Sequence, residues 1–220
     1  MLFDFAEIAP RDGYKLLASC VIPRPIAWVV TVDAQGRLNA APFSFFNVFS
    51  DDPPIVCLGV MGRQGAPKDT ARNIRDTGSF VVNLVSEETA HRMNITAIEF
   101  GPEIDELAEA GLTALPSTKV TPPRIAESPV ALECERVSML DVGNGRAIVV
   151  GKVLAMHIRD DAVIDAAKCY VDSPKLKLVA RTHGRGWYAR LSDEFDMPRI
   201  DRADWEGRER TSADGGGIGG

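Results

Sequence analysis

The sequence predicts a mainly β protein: an antiparallel, Greek-key-like barrel with helices inserted between some of its strands. Short runs rich in β-branched and aromatic residues recur along the chain, each bounded by turn-forming residues. Two of the turns join neighbouring runs tightly enough to be hairpins. The helical segments fall at irregular intervals instead of alternating one for one with strands, which disfavours a parallel, doubly wound sheet. With 220 residues, 45% of them hydrophobic, the chain can bury the core of one domain, expected over residues 1–195.

The elements follow in order. Residues 12–20 set Tyr14, Leu16, Leu17 and Ala18 at helical spacing, and Pro23 and Pro25 forbid the helix from continuing. Residues 26–32 (IAWVVTV) form a strand that ends at the turn Asp33-Ala34-Gln35-Gly36 before Leu38 restarts an extended pattern, the first hairpin. After Pro53-Pro54, residues 55–61 read as a third strand closed by Gly62. Asp69, Ala71, Asn73, Ile74 and Arg75 mark a helix ended by Gly78, and residues 80–85 a buried strand. Ser86, Glu88 and Thr89 open a further helix. Residues 101–129, rich in Pro and polar side chains with an acidic helical stretch over 103–110, read as an excursion outside the barrel that shapes a substrate pocket. Residues 130–142 and 147–158 flank Gly143-Asn144-Gly145, the second hairpin. The tail, residues 196–220, is charged and ends in DGGGIGG, so it is expected to be flexible or pinned by a partner subunit.

Composition excludes several roles. A formal charge of −6 provides no global field for nucleic acid or for an anionic membrane face. No apolar run approaches the ~20 residues of a membrane span, and the first residues are acidic where a signal peptide is basic. A cytoplasmic protein is expected. Cys20, Cys57, Cys134 and Cys169 are scattered without metal spacing and read as reduced thiols. Cys20 stands out because it precedes a candidate ligand segment. His91, His157 and His183 are too widely separated to be a metal set; no metal site is expected.

Three features remain as candidates for chemistry. In Asn39-Ala40-Ala41-Pro42-Phe43-Ser44-Phe45-Phe46-Asn47, alternation sets Phe43, Phe45 and Asn47 on one side and Pro42, Ser44 and Phe46 on the other. A flat ligand with a polar rim suits this surface; aromatics that merely fill the barrel are the alternative. Lys68-Asp69-Thr70, with Arg72 and Asn73, stands at a helix N-terminus where free N–H groups and the helix dipole suit a phosphate. Asp69 is an awkward phosphate ligand and reads equally as a cap. Arg24, between Pro23 and Pro25, is a cation on a rigid entry to a buried strand, a ligand contact or a surface charge. Gly184-Arg185-Gly186 with Ala189 fits a dinucleotide spacing, but no clear strand leads into it. No GxSxG, P-loop or HExxH is present.

Taken together, Pro23-Arg24-Pro25-Ile26-Ala27-Trp28-Val29-Val30-Thr31, Gly36, Asn39, Ala41 to Asn47, Pro53-Pro54, Lys68-Asp69-Thr70, Asn73 and Phe80-Val81-Val82-Asn83-Leu84 resemble the flavin reductase-like, FMN-binding split-barrel family. The likeness is close through the first half and looser through the second hairpin. It implies a split β-barrel and a homodimer with FMN at the subunit interface, the phosphate near residues 68–73 and the ring near 41–47. The implied cofactor-binding residues are Arg24, Pro25, Asn39, Ala41, Pro42, Phe43, Ser44, Phe45, Asn47, Lys68, Asp69, Thr70 and Asn73. Many nicotinamide-using relatives carry a His five residues before the Gly that interrupts the later strand; here Arg146 stands at that distance from Gly151. Arg146 suits a phosphate or an acidic substrate, or is an exposed hairpin arginine. Residues 181–188 resemble the family's closing signature in a His-bearing variant, so His183 and Tyr188 join Arg146 as substrate-side candidates.

The resemblance implies hydride transfer from NADH or NADPH to FMN and onward to flavin, a small acceptor or a monooxygenase partner. No catalytic acid or base is expected, because the cofactor carries the redox chemistry. The alternatives are an FMN-binding electron carrier that does not oxidise nicotinamide and a dimer that has lost flavin.

Overall fold

The computed structural model describes residues 1–101, 103–202 and 205. It opens with α1 (Pro10–Cys20), whose first turn holds Pro10, where a missing N–H costs nothing. β1 (Ala27–Val32) and β2 (Leu38–Phe43) form the first hairpin, and β3 (Phe46–Asp51) pairs with β4 (Pro54–Val60). α2 (Asp69–Thr77) stops at Gly78, which takes the left-handed conformation the sequence assigned it, and β5 (Ser79–Leu84) follows. α3 (Ala90–Ile95) begins later than Ser86 suggests, because the Thr89 hydroxyl accepts from the Ser86 N–H in the turn before it. Within 101–129 the acidic helix shortens to α4 (Glu106–Glu109), and β6 (Ala114–Leu115) pairs with β7 (Arg124–Ile125). β8 (Val130–Gly143) and β9 (Arg146–Ile158) form the long second hairpin. Two small hairpins close the described fold: β10 (Val163–Asp165) with β11 (Tyr170–Val171), and β12 (Val179–Arg181) with β13 (Tyr188–Arg190).

Seven strands form one antiparallel sheet in the order β2-β1-β5-β8-β9-β4-β3. β2 and β3 are consecutive in the chain yet occupy opposite edges of that sheet. Ser44 and Phe45 alone connect them, so the sheet curls until its edges meet. The edges do not pair as strands; the Phe45 carbonyl accepts from the Gly59 N–H at 2.7 Å, carrying the β3–β4 ladder one step into the crossing. This is the antiparallel split barrel that the sequence predicts. The crossing also breaks the alternation expected through residues 39–47. Phe43 is buried in the barrel core, whereas Phe45 is only half-buried and lies outside it.

Hydrophobic side chains fill two layers. Inside the barrel, Val29, Phe43, Leu58, Phe80, Leu132 and Val149 come from six strands. Outside it, Trp28, Val30 and Ala40 pack against Met93 of α3 and Leu107 of α4. β1 is therefore buried on both faces and reads as a continuous apolar run. Gly151 lets β9 pass over the Phe80 ring: a Cβ there would lie 2.4 Å from Phe80 Cζ.

The excursion over 101–129 is fastened to the barrel by more than apolar contact. Glu133 on β8 is fully buried. Its carboxylate accepts from Thr118 N at 2.8 Å and Lys119 N at 2.5 Å, and lies 2.6 Å from His157 Nε2 on β9. Burial alone would raise its pKa, but the two backbone N–H groups and His157 outweigh it and hold the carboxyl below its ordinary value. Residues 192–201 carry no helix or strand; the rest of the tail, apart from Arg202 and Trp205, lies outside the described residues.

Glu133→Gln is expected to destabilise the fold by about 1–3 kcal/mol, since one acceptor oxygen is replaced by a donor facing donors. Because the folded pKa lies below the unfolded one, Glu133's advantage is complete above ~4.3 and fades as pH falls through the folded value. Denaturation midpoints of both proteins across pH 3–7 check this: the gap should be full at neutral pH and narrow toward acid.

Candidate functional site

The first cleft, about 710 Å3 in volume, opens where the edge of β2 meets the start of α2. Asn39, Ala41 and Pro42 form one wall, residues 66–70 the second, and residues 96–101 with Glu106 the third. Lys68 is the N-cap of α2 in extended conformation, and no side chain caps the helix. The first N–H groups of α2 are thus left without a side-chain acceptor beside the cleft. Asp69 lies in the first turn and is ion-paired to Arg72, which takes its charge away from the helix end. Glu106 accepts from the Ala40 N–H at 3.1 Å; burial, reinforced by Asp105 and Asp69, pushes its carboxyl pKa up. Arg63 and Glu99 pair at 3.1 Å at the rim.

Beneath this cleft, four polar side chains share a buried network. Asn39 Nδ2 donates to Thr70 Oγ1 at 3.0 Å, and Asn73 Nδ2 donates to Thr31 Oγ1 at 3.1 Å. The sequence points to Asn39, Thr70 and Asn73 as cofactor residues, and the structure brings them together. Their side chains also lock β1, β2 and α2, because each unpaired partner would be a buried polar group without a bond.

Arg24 is not the free cation that its flanking prolines suggest. Its side chain is buried, donating from Nη1 to Ala18 O (2.6 Å) and Val21 O (2.7 Å), and from Nη2 to Thr182 O (2.8 Å). Its backbone pairs with Arg181 in both directions. The guanidinium thus ties the end of α1, the entry to β1 and the segment after β12. Burial, and secondarily Arg181, lowers its pKa. Pro25, Ser44, Phe45 and Asn47 line an adjoining groove of about 470 Å3.

A second cleft of about 770 Å3 lies between α1 and the barrel, with Tyr14, Leu17, Phe45, Met61 and Ile148 in its walls. Tyr14 and Phe45 approach with ring centroids 6.1 Å apart. Arg146, at the start of β9, lines this cleft. The loop between β4 and α2 separates the two clefts and packs tightly on the turn of the long hairpin. A Cβ on Gly62 would lie 2.2 Å from Asn144 O, and one on Gly145 2.3 Å from Ala66 C. These contacts, like the walls supplied by α1 and by residues 96–101, are absent from the sequence reading, where Gly62 and Gly145 serve only as stop and turn residues. His183 and Tyr188 line neither cleft nor the groove. His183 stacks on Trp187, and Tyr188 lies under the Arg181 guanidinium at 4.8 Å.

All four cysteines are free. Burial raises the Cys134 thiol to about 12, so it behaves as a small hydrophobe; Cys20 and Cys169 are exposed. Among the described residues no cluster of three or more His, Cys, Asp or Glu side chains is placed to hold a metal. No helix among them is long and apolar enough to cross a membrane.

Residues 18–173 match the family described as flavin reductase like domain. The chain belongs to that family. An uncharacterised protein from Deinococcus radiodurans is 41% identical, the match covering 93% of this chain and 92% of that protein. The crystal structure of nitrilotriacetate monooxygenase component B from Bacillus cereus matches with a TM-score of 0.84 and 30% identity, over 90% of this chain and 98% of that one. That of 2-nitrobenzoate 2-nitroreductase from Pseudomonas fluorescens matches with a TM-score of 0.82 and 32% identity, over 91% and 96%.

Arg24→Met is expected to cost about 2–4 kcal/mol, because three carbonyls lose a charged donor at once. Arg24→Lys should recover only part of this, since one ammonium cannot span the acceptors of a planar fork. Urea unfolding of the three proteins measures both effects.

Proposed function

We propose that the chain is an FMN-binding oxidoreductase that takes electrons from NADH or NADPH and passes them to free flavin, a small acceptor or a monooxygenase partner. The observation that carries this reading is the uncapped start of α2, nine residues long, beside Lys68 at the first cleft. Free N–H groups and the helix dipole favour a phosphate there. The Lys68 ammonium has no ion pair among the described residues and adds charge without leaving one. Asp69 is ion-paired to Arg72, which offsets part of the repulsion a bare carboxylate would bring.

In this reading Ala41 and Pro42 on the edge of β2, with Ser44, Phe45 and Asn47 at the crossing, pack the ring, while Phe43 supports them from the core. Bound FMN would supply the hydride-accepting chemistry. The chain's own part is to hold the phosphate, fix the ring and keep water from one of its faces. A homodimer is supported by exposed apolar side chains on three strands of the sheet: Val48 and Phe49 on β3, Leu140 and Val142 on β8, and Leu154 and Met156 on β9. Exposed apolar side chains of this kind are suited to being covered by a second copy. His183 and Tyr188 are assigned a substrate-side role only across that dimer. The name of the Bacillus cereus protein supports a monooxygenase partner, and that of the nitroreductase supports reduction of a small acceptor. A cytoplasmic setting is part of the same proposal.

A second reading, an electron carrier that does not oxidise nicotinamide, is favoured by Arg146, because nicotinamide-using relatives carry a His at that place. Anaerobic mixing of FMN-loaded protein with NADH and with NADPH separates the two: bleaching of the flavin absorbance by either is expected. Bleaching by dithionite alone would assign the carrier role.

Lys68→Ala should weaken FMN binding by about 1–3 kcal/mol through loss of a charge-assisted contact, and unchanged affinity would remove the phosphate assignment. Thr70 is the poorer probe, since its hydroxyl also holds Asn39.

A further inference from the structure

The second cleft differs from the first in how its charge is arranged. The first is lined by several charged side chains, among which Arg63 with Glu99 and Arg72 with Asp69 form ion pairs. Among the described residues Arg146 is the sole charged residue lining the second cleft, and its neighbours there are predominantly apolar or aromatic. Among the described residues Arg146 makes no ion pair and no side-chain hydrogen bond. By contrast, Arg24, Arg159, Arg181 and Arg190 are all engaged by carbonyls or carboxylates. A planar guanidinium beside apolar walls provides a bidentate anchor for an anion and a dry surface for the rest of the same molecule.

We infer that the second cleft binds an apolar carboxylate, its ring against Tyr14, Leu17 and Phe45 and its carboxylate on Arg146. A compact monoanion matches one unpaired cation. A dinucleotide carries two phosphates and would leave one of them against apolar wall, without a cationic partner from the cleft. The volume of about 770 Å3 accommodates a one- or two-ring acid. Phe45 belongs both to this cleft and to the crossing segment assigned to the flavin ring, so the bound acid would lie beside that ring. Only this last point rests on the flavin reading; the carboxylate site stands on the cleft itself.

The probes are 2-naphthoate and its neutral counterpart 2-naphthamide, with nicotinamide mononucleotide as a phosphate-bearing rival. Binding to the flavin-free full-length chain is read by calorimetry or by saturation-transfer NMR. The wild type should prefer naphthoate to naphthamide by about tenfold or more, the size expected of a charge-assisted bidentate contact. Arg146→Gln should abolish that preference while leaving naphthamide binding unchanged. Arg146→Lys, which keeps the charge and loses the fork, should retain part of it. Equal binding of acid and amide by the wild type would overturn the proposal, as would a preference that survives in Arg146→Gln. So would an Arg146→Gln protein that loses affinity for FMN or for the mononucleotide and not for naphthoate, since the arginine would then serve the cofactor or the nicotinamide. If the wild type binds no FMN yet keeps its preference for naphthoate, the flavin reading fails and the carboxylate site stands.

Discussion

The two residues between Phe43 and Phe46 carry the chain from one edge of the seven-stranded sheet to the other, and the remaining architecture follows from that short span. Edges joined by so little chain must lie together, so the sheet has to close on itself, and closure supplies a core to which six strands contribute. The crossing is also where the strands stop pairing, which exposes Ser44 and Phe45 in a groove on the barrel wall. A hydroxyl and an aromatic side chain together at one place suit a flat ligand with a polar rim. The groove thus forms at the point where regular structure is interrupted.

Electrostatics divides the molecule in a similar way. Buried polar groups are paired inside the protein: Glu133 with two N–H groups and His157, Arg24 with three carbonyls, and the Asn and Thr side chains under α2 with one another. Each fixes the placement of a segment that burial alone would leave free to slide. Lys68 and Arg146, the cations at the two clefts that remain unpaired among the described residues, are both at element boundaries, one before α2 and one after the long hairpin's turn.

Much of this was legible in the sequence. The apolar runs of β1, β4 and β5, the left-handed Gly78 and the Gly143-Asn144-Gly145 turn are local signals, and they are found where local rules put them. The grouping of Asn39 with Thr70 and Asn73 was legible only through the family likeness, because residues thirty apart share no local pattern. Two misreadings have physical causes. Alternation through residues 39–47 presumed one continuous strand, and nothing in the side chains announces that the chain changes edges after Phe43. Arg24 read as a ligand contact or a surface charge; it is not a surface charge, and its acceptors, the backbone carbonyls of Ala18, Val21 and Thr182, leave no mark in a sequence. The third wall of the first cleft, formed by residues 96–101, was hidden because no local pattern links that segment to Asn39 or to residues 66–70.

The loop between β4 and α2 has a further consequence. Gln64 borders both clefts, and the loop is wedged against the hairpin turn at distances that admit no side chain on Gly62 or Gly145. The two cavities therefore share Gln64 and its loop as a common border. A guest that displaces this border from one side changes the room available on the other, and by thermodynamic reciprocity the effect on affinity is equal in both directions.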